Sequence, residues 1–124
     1  MEPRLSTAVA LKTNSIHTAD FNSGFVDVQQ WVGQALAILS SAALTGTTPT
    51  FAIRLEQSKD GSTGITDVPA GAFTQISDAG ASLQSLPIDI DKCDRFIRVT
   101  GVEGGTVTGG SIAVVMVGMQ QQEP

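Results

Sequence analysis

The sequence predicts an all-β chain, an antiparallel β-sandwich of jelly-roll-like type with about seven to eight short strands. Three observations predict it. Apolar residues alternate with others at a period of two, most clearly where Phe51, Ile53 and Leu55 interleave with Ala52, Arg54 and Glu56. Thirteen Gly, with many Thr and Ser, favour turns and short strands over a helical bundle. Turn-forming clusters recur at regular intervals between the apolar runs.

The stretch 48–61 is the strand on which the others stack. Pro49 sits at its start, where a missing N–H costs little, and Asp60-Gly61 ends it in a tight turn. Upstream, 6–12 sets Val9 and Leu11 among small residues and reads as an edge strand. Residues 14–24 are rich in Asn, Ser, Thr and Asp and read as a loop, with Ile16, His17 and Phe21 lying against the body.

The segment 25–44 fits two patterns. Trp31, Val32, Ala35, Leu36, Leu39 and Ala43 fall at helical spacing, whereas Val32, Leu36 and Ile38 also suit a strand. Gly33 and Ser40-Ser41 count against a long helix, and tertiary context overrides local propensity. Two strands are therefore expected, at 25–29 and 32–40, with a turn at 45–48.

After Gly61 a loop runs over 62–70, followed by a short strand at 71–76 and a turn at 77–80. Residues 82–90 are extended, and Pro87 confines them to an edge or a bend. A strand at 95–102 places Ile97 and Val99 on one face and Phe96, Arg98 and Thr100 on the other. Glu103-Gly104-Gly105 reads as a turn, and Gly109-Gly110 as a second flexible point. The last strand, 111–119, is apolar on both faces: Ile112, Val114 and Met116 on one, Ala113, Val115, Val117 and Met119 on the other. Such a strand is either central between covered layers or meets another subunit.

The 124 residues suffice for one core but not two, so a single domain is expected over 1–124. Within it 1–23 is expected to be an N-terminal arm and loop region and 120–124 a frayed tail. The net charge of −5, with Lys and Arg scattered, provides no electrostatic footprint for nucleic acid or an anionic membrane. A lone Cys93 excludes an intrachain disulfide and any zinc site built on paired cysteines. The first residues lack the basic-then-apolar layout of a signal peptide. The longest apolar runs, 35–39 and 112–117, fall short of the ~20 residues that span a bilayer. These features point to a soluble protein made inside a cell.

No catalytic constellation stands out. Ser58-x-Asp60-Gly61 reads first as a turn whose side chains cap its own N–H groups. Asp89, Asp91 and Asp94 are the one carboxylate cluster, but the spaced ligands and Gly of a calcium loop are missing, so no metal is expected. His17 is the only histidine and has no Gly-x-Ser-x-Gly elbow to serve. Cys93 lies among acids, without cations to make it a thiolate. The glycines from Gly101 to Gly110 form neither a phosphate loop nor a dinucleotide fingerprint. Trp31 invites comparison with sugar-stacking residues, although core or interface anchoring suits it better. The expectation is a non-enzymatic protein without cofactor or metal.

Four sequence features carry a resemblance. They are Leu55-Glu56-Gln57-Ser58-Lys59-Asp60-Gly61, Val68-Pro69-Ala70, Phe73, and Arg95-Phe96-Ile97-Arg98-Val99. Together with the Gly-rich turn before the apolar last strand, they resemble small virion proteins of tailed bacteriophages, of the capsid decoration or cement kind. The resemblance covers 31–119; Phe96 stands where the group more often has Tyr, and 6–23 matches nothing in it. It implies a β-sandwich made in the host bacterial cytoplasm that oligomerises on the outer capsid surface, often about a three-fold axis. The partners implied are the major capsid protein and further copies of the chain, a trimer being favoured, with no direct nucleic-acid or membrane contact. Val115, Val117 and Met119, with Trp31, are then expected at an oligomer or partner interface. The alternative is a carbohydrate- or receptor-binding sandwich of a phage tail or fibre, which requires an exposed aromatic platform.

Overall fold

The computed structural model describes residues 4–121, and side chains over 17–119. The strands are β1 (Arg4–Ile16), β2 (Phe21–Asn22), β3 (Val26–Asp27), β4 (Trp31–Ser41), β5 (Thr45–Ser58), β6 (Thr66–Ala72), β7 (Ile76–Ser77), β8 (Ser82–Asp89), β9 (Phe96–Gly109) and β10 (Ser111–Gln121). A single turn of 3-10 helix, Ile90–Lys92, separates β8 from β9. All pairings are antiparallel.

Two sheets form. One has the order β1-β10-β4-β8; the other has β2-β9-β5-β6, with β3 also on β9 and β7 also on β5. The pairs are nested: first strand with last, β2 and β3 with β9, β4 with β8, and β5 with β6 and β7. This is a long antiparallel ribbon rolled on itself, the jelly-roll topology.

The core lies between the sheets. Phe51, Ile53 and Leu55 of β5 face Ile97 and Val99 of β9 in the same layer, and all five are buried. From the other sheet come Ala35, Ala37 and Leu39 of β4 and Ile112, Val114 and Met116 of β10. The period-two pattern thus sets one side of each strand inside.

Several boundaries differ from expectation. The helical alternative for 25–44 gives way to β4, an 11-residue strand held by β10 and β8 on both sides. The edge strand expected at 6–12 is present and longer, as β1 paired with β10, whereas the expected loop 14–24 contributes β2, where the Phe21 ring is buried against Phe51 with centroids 5.6 Å apart. Residues 45–48 are not a turn but the start of β5, pairing with the Gly-rich end of β9. Glycine makes this approach feasible: a Cβ on Gly105 would lie 2.1 Å from the Thr48 carbonyl oxygen. The same contact turns 103–105 from a turn into strand. The strand expected at 71–76 is split, since β6 ends at Ala72 and β7 starts at Ile76. Gln120 and Gln121, expected in a frayed tail, pair with Leu5 and Arg4, and 122–124 lie outside the described residues.

Candidate functional site

The two outer faces of the sandwich differ in chemistry. β10 runs between β1 and β4, so its second apolar set, Ala113, Val115, Val117 and Met119, looks away from the core. The register aligns it with the outward set of β4, Val117 beside Leu36, Val115 beside Ile38 and Ala113 beside Ser40. The next strand continues each row with Pro87, Ser85 and Leu83 of β8. On the far side Ala8 and Ala10 of β1 stand opposite Val117 and Val115. Leu36 is 40% exposed and Leu83 78% exposed. Among the described side chains these rows carry no charge; Asp89, opposite Gln34, is the first acid reached at one end.

The other sheet is outwardly polar. Arg98 pairs with Glu56 at 2.8 Å, Glu56 with Arg54 at 3.3 Å, and Arg54 with Asp67 at 3.0 Å. This ladder crosses β9, β5 and β6. Arg98 also covers the Phe25 ring at 4.9 Å, and Arg95, paired with Asp27 at 2.8 Å, covers Phe96 at 5.1 Å. Cation–π stacking occupies the faces a sugar would use. The remaining aromatics, Phe21, Trp31, Phe51 and Phe73, are buried. A hollow of about 600 Å³ beside Asp60 is lined by polar residues, among them Gln57, Thr66 and Asp94, and by no aromatic ring. The exposed aromatic platform that a glycan-binding module needs is therefore not built on this surface.

Of the residues expected at an interface, Val115, Val117 and Met119 lie on the uncharged face. Trp31 does not. It points inward, 8% exposed, with its ring over Gly118. Leu36, Ile38, Leu83 and Pro87 complete the face and were not singled out from sequence. Their signal was present in the alternation of β4 with Ala35, Ala37 and Leu39, but both sides of the expected strand are apolar there, so alternation alone does not say which one faces outward.

The Ser58–Asp60 turn is self-contained. The buried Ser58 hydroxyl accepts from the Gly61 N–H at 3.0 Å and donates toward the Thr63 carbonyl at 2.6 Å. Asp60 accepts from the N–H groups of Ser62 at 2.9 Å and Thr63 at 2.8 Å, and from the Thr63 hydroxyl. The hydroxyl and N–H groups of Thr63 hold the Asp60 carboxyl far below the usual carboxylate range, with Ser62 and Ser58 adding to it. In the unfolded chain the group titrates near pH ~4. Its contribution to stability is therefore full above that pH and declines as the pH falls further toward the folded value. The expected result is a melting temperature that falls steeply below pH ~4 in the natural protein and less steeply in Asp60→Asn, measured by circular dichroism.

The carboxylate cluster also has local duties. Asp89 caps the 3-10 turn by accepting from the Asp91 N–H at 3.2 Å, and Asp91 accepts from the Gly33 N–H at 3.3 Å. Among the described residues no three His, Cys, Asp or Glu side chains converge as a metal-ligand set. His17 stacks on Phe21 with centroids 4.3 Å apart. Among the described residues no helix is long and apolar enough to cross a membrane.

Cys93 is half-buried, and its thiol donates to the Asp89 carbonyl at 3.3 Å. Burial, then the charges of Asp89 and Asp94, push the thiol up to about 11. At pH ~8 the folded protein should react with a thiol-specific reagent on the order of 100-fold more slowly than an exposed cysteine. Denaturant should restore the ordinary rate; fast labelling of the folded protein would contradict this.

No family model and no curated protein sequence matches the chain. Solved structures do. The fold is similar to a chain of the Bacillus endospore appendages, a family of disulfide-linked pili. The TM-score is 0.54 at 15% identity, covering 98% of this chain and 92% of that one. It is similar to the SPBc2 prophage-derived protein YomS, with a TM-score of 0.55 at 12% identity and 97% of both chains covered. A chain of infectious bursal disease virus, Gx strain, aligns over 97% of this chain and 37% of its own, with a TM-score of 0.49 at 9% identity. At these identities the likeness is one of fold.

Proposed function

We propose that this chain is a non-enzymatic structural protein of a tailed-phage particle that binds and stabilises the outer capsid shell. The observation that carries the reading is a jelly roll with one uncharged, apolar outer face beside a side-chain inventory already used for folding. Monomeric soluble proteins rarely leave so continuous an apolar face uncovered. The polar residues weighed for chemistry, Ser58, Asp60, Asp89, Asp91 and His17, are engaged in capping and stacking. The turn and strand motifs resembling phage decoration proteins, and the fold shared with a prophage-derived protein, favour this setting.

The disulfide-linked pilus is a poorer template for function. A linear polymer joined by disulfides needs at least two cysteines per subunit, and this sequence has one, with a suppressed thiolate. On the shell, the mechanism is additive burial: an oligomer touching several capsid subunits gains avidity from contacts that are individually modest.

Reconstitution tests the reading. Shells assembled without this chain should take up the purified protein to a fixed ratio with the major capsid protein and disrupt at a higher temperature. Shells that take up none would overturn it. Specific binding on a glycan array would instead favour the tail or fibre module.

A further inference from the structure

We propose that the outer face of the β1-β10-β4-β8 sheet is closed by the same face of a second copy of this chain, across a two-fold axis. The proposal rests on the reading of that face as an assembly surface and names its partner.

Charge selects the occupant. Each chain carries a net −5, so two copies approach best where neither presents charge. The rows Val117-Leu36-Pro87, Val115-Ile38-Ser85 and Ala113-Ser40-Leu83 are such a place. The opposite sheet is not: apposing it would desolvate the Arg98–Glu56–Arg54–Asp67 ladder.

Symmetry follows from what else is apolar. A ring of three needs two different complementary patches on each subunit, whereas a two-fold pair needs one patch that fits itself. Outside this face the exposed large hydrophobics among the described residues are Ile65 and Val102. Val102 lies on the charged sheet and Ile65 in the loop before β6, so the two offer no second continuous patch. The geometry therefore points to a dimer rather than the trimer that the sequence resemblance favours.

The size is adequate. Four strands ~4.8 Å apart, with about eight residues each at ~3.3 Å, present roughly 500 Å². Two copies then bury about 1,000 Å², the lower bound for a specific interface. An association of this kind is sustained by apolar burial against like-charge repulsion, so added salt should tighten it.

The test is the mass of the purified full-length chain by sedimentation equilibrium, at low and high salt. The expected result is a dimer that tightens with salt. Leu36→Glu and Leu83→Glu should each weaken it on the order of 100-fold, because the axis buries every substitution twice. Leu83 is so exposed that its replacement leaves the fold intact, which circular dichroism checks. Val102→Glu, on the other sheet, should leave the dimer unchanged. A monomer, a trimer, or a dimer indifferent to both Glu variants overturns the proposal. Shell uptake is scored separately: a dimer that shells ignore removes the decoration reading alone, and a monomer that they bind removes this proposal alone.

Discussion

Phe51→Ala is expected to lower stability by about 3–5 kcal/mol. Phe51 is fully buried at the middle of β5, the strand that pairs with β9, β6 and β7. Its ring meets Phe21 at 5.6 Å in a tilted arrangement, so truncation opens a cavity and also removes the anchor of β2. The surrounding residues come from both sheets and cannot collapse into the space without shifting strands. For a chain of this size each kcal/mol is worth about 4 °C, so the melting temperature should drop by roughly 12–20 °C. A drop of only a few degrees would mean that the core is not centred there.

The second large effect is expected at Gly118. Its neighbours Val117 and Met119 face outward, and Gly118 faces the core beneath Trp31. A Cβ there would lie 2.3 Å from the indole ring. Trp31 is itself buried, so it has nowhere to retreat, and Gly118→Ala should cost ~1–3 kcal/mol through overpacking. The clash is specific. In a Trp31→Leu background the same substitution should cost much less, and this non-additivity is the measurement that counts. Equal costs in both backgrounds would contradict the contact. The pair also explains why Trp31 is absent from the outer face: glycine on the neighbouring strand makes room for it inside.

The fold class and most of the core were legible in the sequence, because alternation reports which side of a strand is buried. Phe51, Ile53, Leu55, Ile97 and Val99 were readable this way. So was the double-sided last strand, whose two alternatives were a central position or a subunit contact. β10 is central in its sheet, and its outward side remains apolar. Boundaries were less legible where backbone contacts, not side-chain patterns, decide them. Residues 45–48 and 103–105 look like turns, yet they lie within paired strands because glycine lets the two backbones approach. The ion ladder Arg98–Glu56–Arg54–Asp67 could not be read from spacing, since its members come from three strands joined only by the register.

The uncharged face was half legible. Val115, Val117 and Met119 were marked by an apolar run too long for one buried side. Leu36 and Ile38 share one side of the expected strand at 32–40, but the pattern does not say which side faces outward, and Leu83 and Pro87 lie on an edge strand with little apolar content. For Trp31 the sequence leaves core and interface anchoring both open, because size and hydrophobicity do not reveal which side of a strand a residue occupies when its start is uncertain; its ring lies in the core.

The most direct measurement is the copy number of this chain in purified phage particles, by quantitative mass spectrometry against the major capsid protein. A role spread over the shell predicts a number equal to that of the capsid protein or a simple fraction of it. A few copies per particle would place the chain at the neck, tail or fibre, and complete absence would contradict a virion role.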